Sequence, residues 1–180
     1  EIRHFFYSLG THERAQRVFD FFRPHHRKDL YNQRHNRETI FPIVMACLNM
    51  SKQKVGALIV MQNTLPLNDF TRTGEIVDAR ISQRLIENIF FKNSPLHDGA
   101  MIIRQKRIAA AGCLLPVSHS MDIPKSLGLR HRAALGVSQE TDAFAIVVSE
   151  ETGAITVAHR GTLHRWLTAE QLEKLLFELD

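Results

Sequence analysis

Asn93-Ser94-Pro95-Leu96-His97-Asp98-Gly99-Ala100-Met101-Ile102-Ile103 sets a turn directly against an apolar run. The turn delivers an imidazole and a carboxylate side by side. Gly99 lets the backbone come close to another group, and the run from Ala100 to Arg104 has the apolar character of a buried strand. A second apolar run, Arg107 to Leu115, follows after the polar pair Gln105-Lys106, which predicts a hairpin.

Upstream, Val55-Gly56-Ala57-Leu58-Ile59-Val60-Met61 is continuous and rich in branched residues, the pattern of a central strand. Residues 63–73 carry Pro66, Asn68 and Asp69 and read as an exposed loop. Ile76 to Ile81 alternates like a short strand. Ser82 is placed to cap a helix through about Phe91, stopped by Asn93-Ser94-Pro95. Before the central strand, Ile40, Ile43, Val44, Cys47 and Leu48 recur at helical spacing between Arg37 and Lys52. Pro42 suits that helix only in its first turn. Phe19, Phe21 and Phe22 suggest a short helix or anchor ending at Pro24. Downstream, 116–125 is a loop, and Gly128 to Gly136 is a turn entering a helix. Ala143 to Ser149 is a buried strand, joined through a tight turn at Glu150 to Gly153 to a partner at Ala154 to Ala158. Thr168-Ala169-Glu170-Gln171 has capping-box spacing before a helix with Leu172, Leu175 and Leu176 inward. The class is α/β, with a mixed central β-sheet flanked by helices and sizeable antiparallel content.

At 180 residues, with 44% hydrophobic and 23% charged residues, the chain can build one domain with a real core. A formal net charge of +4 suits a polyanionic ligand without specifying one. No apolar run reaches membrane-spanning length, and there is no signal peptide. Beginning at Glu1, the sequence reads as a soluble piece of something longer. Cys47 and Cys113 sit in apolar surroundings with no zinc spacing, the pattern of packed, reduced thiols. Residues 1–53 are the most basic part and hold His4, His12, His25, His26 and His35, but no pair has metal-site spacing with a carboxylate between.

Three clusters carry chemistry. Asp98 with adjacent His97 can hold Mg²⁺ or Mn²⁺ and leave positions open for phosphate oxygens. Taken alone, the same residues make an ordinary Asp-Gly turn. Arg130-His131-Arg132, at the start of a helix, combines guanidinium forks with free backbone N–H groups and suits a triphosphate. Its apolar flanks, Leu127, Leu129, Ala133, Ala134 and Leu135, favour arginines pointing into a cleft over a basic surface terminus. Ser149 and Glu150 at a strand end could complete a metal and phosphate site, although Glu-Glu-Thr-Gly is also an ordinary hairpin turn.

Together and in this order, Leu96-His97-Asp98-Gly99-Ala100, Arg130-His131-Arg132-Ala133-Ala134 and Val148-Ser149-Glu150-Glu151-Thr152-Gly153 resemble the signature of the diadenylate cyclase (DAC) domain. The likeness covers roughly Val55 to Leu176, including Gly56-Ala57-Leu58, Val77-Asp78-Ala79 and Leu163-His164-Arg165. Glu1-Ile2-Arg3 and Leu9-Gly10 resemble the link after the membrane helices of the CdaA (DacA) type, here without its transmembrane segment.

The resemblance implies a DAC-domain fold over residues 54–180 after an N-terminal linker and helical region at 1–53. It implies condensation of two ATP into cyclic di-AMP and two pyrophosphates, a second-messenger synthesis performed across a face-to-face homodimer. The catalytic residues would be Asp98, Arg130, His131 and Arg132. ATP would be bound by Gly99, Ala100, Leu114, Leu115, Pro116, Arg130, Arg132, Ser149 and Glu150, with Leu114 to Pro116 against the adenine. Mn²⁺ or Mg²⁺ would sit on His97, Asp98 and Glu150. The full-length protein would lie at the cytoplasmic face of a bacterial membrane, with a YbbR-domain regulator and a phosphoglucosamine mutase as partners and no nucleic acid.

Two positions depart from the family. Leu129 stands where relatives commonly carry threonine, which removes a hydroxyl from the phosphates. Leu114 stands where many carry tyrosine, which replaces stacking by an apolar wall. A nucleotide sensor without turnover would need the arginines but would gain nothing from Asp98, so the retained carboxylate favours an enzyme. An RNA- or membrane-surface role for the basic first 53 residues lacks the interleaved aromatics of a stacking platform.

Overall fold

The computed structural model describes residues 24–120, 124 and 126–177, with side chains from residue 38 onward. Residues 1–38 and 39–180 are separate compact units. The Phe19, Phe21 and Phe22 anchor and the histidines of the first 37 residues lie outside the described side chains.

The first described helix, α1, runs Pro24–Gln53 and carries Pro42 in its interior, not in its first turn as the sequence predicts. An interior proline removes one helical hydrogen bond, a cost of about 3 kcal/mol. The burial of Ile40, Ile43, Val44, Ala46, Cys47 and Met50 opposes that cost, each such side chain contributing about 1.5–3 kcal/mol when large and apolar. These residues belong to the core of the larger unit, on the N-terminal side of the expected boundary at residue 53.

That core is built on seven strands. They are β1 Ala57–Met61, β2 Glu75–Arg80, β3 Ala100–Arg104, β4 Arg107–Cys113, β5 Phe144–Val148, β6 Ile155–His159 and β7 Thr162–His164, in the spatial order β2-β4-β3-β1-β5-β6-β7. Only β1 and β3 pair in parallel, with Ile59 opposite Met101; every other pairing is antiparallel. The mixed sheet agrees with the α/β class.

Both faces of β1 are covered, so every residue of it is buried. Ala57, Ile59 and Met61 face the side packed by α1, by α3 (Gln83–Ile89) and by α5 (Ala169–Phe177). Leu58 and Val60 face Ala134 and Val137 of α4 (Leu129–Glu140). The alternation is the two-residue period of a strand read against two hydrophobic layers.

Local chemistry fixes the ends. Ser82 caps α3 by accepting from the Leu85 N–H at 3.2 Å. At α5, the Thr168 N–H donates to Gln171 Oε1 at 2.9 Å and the Gln171 N–H donates to Thr168 Oγ1 at 3.3 Å, a complete capping box. Gln105 and Lys106, both at positive φ, make the two-residue turn between β3 and β4. The 63–73 loop contains a short helix, α2 (Asn68–Thr71), and Asp142 accepts the Thr64 and Leu65 N–H groups at 3.1 and 3.0 Å. The pattern does not predict β7. Its three residues are too few for periodicity, and they are brought back to β6 by Arg160-Gly161, both at positive φ.

After β4 the chain crosses α4. The Ser118 N–H donates to the Arg132 carbonyl at 3.0 Å, and a Cβ on Gly136 would lie 2.1 Å from the Pro116 carbonyl oxygen. Alanine is a better helix former than glycine by about 1 kcal/mol, but here the clash is with backbone and must win. Gly136→Ala is expected to destabilise the fold by about 1–3 kcal/mol in urea denaturation, the range for overpacking.

Candidate active site

Parallel pairing brings the starts of β1 and β3 to one end of the sheet, and antiparallel pairing brings the ends of β4 and β5 to the same end. The segments leaving those four strand ends carry the polar residues singled out by sequence. With the N-terminus of α4 they enclose a cavity of about 740 Å³, within the range of roughly 300–1,000 Å³ usual for small-molecule sites.

Nine of the expected site residues line this cavity: His97, Asp98, Gly99, Leu114, Leu115, Arg130, His131, Ser149 and Glu150. Three do not. Ala100 is fully buried as the first residue of β3, Pro116 is used against Gly136, and Arg132 is half-buried with its carbonyl holding Ser118. The apolar part of the lining, Leu58, Cys113, Ala133 and Val147, is not anticipated. Leu58, Cys113 and Val147 read in sequence as ordinary strand core, and it is their place near the strand ends, with Ala133 in the first turns of α4, that puts them on the cavity wall.

Gly99 has φ +106°, a conformation that favours glycine, and a Cβ there would lie 2.7 Å from the carbonyl carbon of Gly112. The close approach that the sequence suggests is therefore made to β4, whose ladder against β3 is irregular there. Asp98 is held exposed at the cavity by this junction. The adjacent His97 Nδ1 lies 2.6 Å from the Ser94 carbonyl. A carbonyl only accepts, so Nδ1 carries the proton and Nε2 is the ring atom free to bind a metal, the usual arrangement for a ligating histidine.

On the opposite wall, α4 starts at Gly128 with no side-chain cap and no acidic residue in its first turn. The His131 and Arg132 N–H groups turn back to the Gly128 carbonyl. The Leu129 and Arg130 N–H groups, with the positive end of the helix dipole, are left for an anion. Arg130 Nη1 pairs with Glu150 Oε2 at 3.0 Å, the two side chains being 22% and 65% exposed. Leu114 and Leu129, at 69% and 76% exposed, supply apolar surface at the mouth.

Burial, and secondarily the charge of Arg165, hold the His131 imidazole below its ordinary 6.5. Burial pushes the Cys113 thiol up to about 11, so it is no nucleophile at neutral pH.

Among the described residues no three His, Cys, Asp or Glu side chains form a metal-binding group. His97, Asp98 and Glu150 thus do not make a closed cage, and Glu150 is already engaged by Arg130. One carboxylate with one imidazole could hold a divalent cation only if water or substrate phosphates supply its remaining ligands.

An α/β domain that opens an uncapped helix terminus, a guanidinium and a carboxylate into one cleft has the groups that can receive a phosphate ligand. The family model described as "DAC: DisA bacterial checkpoint controller nucleotide-binding" matches residues 44–163, and the chain belongs to that family. It is 47% identical over 140 residues to the cyclic di-AMP synthase CdaA of Bacillus subtilis strain 168, covering 78% of this chain and 51% of that protein. It spans about half the length of the curated relatives it matches. A crystal structure of a double mutant of DacA from Staphylococcus aureus superposes with a TM-score of 0.78 at 48% identity, over 79% of this chain and 95% of that one. A hypothetical membrane spanning protein from Bacillus cereus superposes with a TM-score of 0.68 at 39% identity, over 70% of this chain and 62% of that one.

His131 gives a measurable consequence. Its folded-state pKa lies below 6.5, so as pH falls through 6.5 the unfolded chain takes a proton that the folded chain refuses. Its contribution to stability is full above that pH and is lost below it. In urea denaturation between about pH 7.5 and 5.5, His131→Gln should lose less stability than the wild type on acidification.

Proposed function

We propose that the chain is the catalytic domain of a diadenylate cyclase that condenses two ATP into cyclic di-AMP and two pyrophosphates. The observation that carries this reading is the opening of Asp98, Arg130 and the α4 N-terminus into one cavity. The names of relatives at this identity support it.

In each half-reaction the ribose 3′-oxygen of one nucleotide loses its proton and bonds to the α-phosphorus of the other. The bond to the bridging oxygen breaks and pyrophosphate leaves. Two such steps close the ring. The protein's part is to position the reactants and neutralise charge. Arg130 and the free N–H groups of α4 hold the phosphates, and Arg132 adds charge from the same turn. Asp98 draws the hydroxyl proton, Ser149 and Glu150 border the phosphates, and His131 orders them. Leu114 and Leu115 offer the adenine an apolar wall. A Mg²⁺ or Mn²⁺ ion on Asp98 and His97 would polarise the α-phosphate.

One cavity holds one ATP, so the reaction needs two chains face to face. The full-length protein is membrane-associated in this reading, in keeping with the membrane spanning relative. Among the described residues no helix is long and apolar enough to cross a bilayer.

Incubation with ATP and Mn²⁺ or Mg²⁺, followed by chromatography, should give cyclic di-AMP with two pyrophosphates for each. Binding without product would leave a nucleotide sensor. Asp98→Asn should lower the rate by about 10²–10⁴-fold, the usual share of a general base, while near-wild-type activity would remove Asp98 from this role. The initial rate should rise more steeply than linearly with protein concentration wherever the dimer dissociates. Strict linearity through that range would exclude the shared site.

A further inference from the structure

Gly56 is the residue before β1 and is buried. Its φ lies outside the left-handed range, so its backbone would accept any L-residue. What it lacks is room. A Cβ there would lie 2.5 Å from Arg130 Nη1, 2.9 Å from Arg130 Cζ and 3.0 Å from Glu150 Oε2. The three nearest atoms all belong to the ion pair at the site. None belongs to the core, and none is backbone. The missing methyl group is thus the seat of the Arg130–Glu150 pair, where the start of β1, the N-terminus of α4 and the end of β5 converge.

We infer that Gly56 is a positioning residue, whose bare α-carbon fixes the Arg130 guanidinium where it meets the nucleotide phosphates. The inference rests on the function proposed above. A methyl group would make the guanidinium retreat by roughly 1 Å to reach ordinary van der Waals contact. Displacements of that size cost up to about 10²-fold where a group must be aligned. The fold should be spared, because the three atoms nearest that Cβ are the far ends of two flexible side chains.

The test is a double-mutant cycle on ATP binding, read by calorimetry with Gly56→Ala, Arg130→Ala and the pair. Gly56→Ala should keep the wild-type thermal midpoint and raise the Kd for ATP by about 10- to 100-fold. In the Arg130→Ala background the same methyl group should change Kd less than about twofold. Equal effects in both backgrounds, or a collapse of the thermal midpoint, would make Gly56 merely structural and overturn the inference. A wild-type chain that takes up no ATP would overturn the proposed function instead. Gly56 is then read from the Arg130 Nε–H resonance of the nucleotide-free chain: a shift in Gly56→Ala supports the seat, and an unmoved resonance overturns it.

Discussion

The parallel pairing of β1 with β3 is the constraint on which the site depends. With Ile59 opposite Met101, both strands must begin at the same end of the sheet. A parallel pair also needs a crossover, here containing β2 and α3. The antiparallel neighbours β4 and β5 then finish where β1 and β3 start. Segments far apart in sequence, at Gly56, Asp98, Leu114 and Ser149, are thereby delivered to one place. Had β3 run the other way, Asp98 would stand at the opposite end of the sheet from Glu150.

The electrostatics of this end follow from what is unpaired. The N–H groups at the start of α4, the Arg130 guanidinium and the nearby charge of Arg165 all favour an anion. His131 lies among them, and burial, then the charge of Arg165, both penalise its charged form. Glu150 answers Arg130 at 3.0 Å. The pair is partly exposed and contributes little to stability; what it provides is a defined direction for the guanidinium.

Much of this was legible in the sequence. The apolar runs of β1, β3 and β5 marked a sheet covered on both faces, and the Ser82 and Thr168 caps marked helix starts, because these signals are local. Asp98, Arg130 and Glu150 were legible only together: each alone fits an ordinary turn or helix terminus, and it is their joint occurrence in this order that resembles the DAC signature. Other features depended on tertiary contacts. Pro42 lies inside a helix because the core rewards the residues around it, and β7 exists because β6 already offers an edge. Gly56 lies in a stretch that resembles the family, but what it touches is not legible there, since Arg130 and Glu150 lie far along the chain. Arg132 and Pro116 share sequence motifs with cavity residues but are not among its lining: the Arg132 carbonyl holds the Ser118 N–H, and the Pro116 carbonyl packs on Gly136.

The central position of β1 also bears on how the chain must fold. Its partner β5 pairs Ala57 with Val148, so β1 has an open edge until the last third of the chain is available. Contacts of such sequence separation close slowly, after much chain entropy has been lost. During synthesis, an apolar strand with free N–H and carbonyl groups would therefore wait in the most aggregation-prone form a strand can take. The hairpin of β3 and β4 can form early by local contacts, and covers only one of the two edges. Completion of the sheet is thus tied to the segment that also carries Glu150, and a chain cut short before β5 lacks both the site and the protection of its own core.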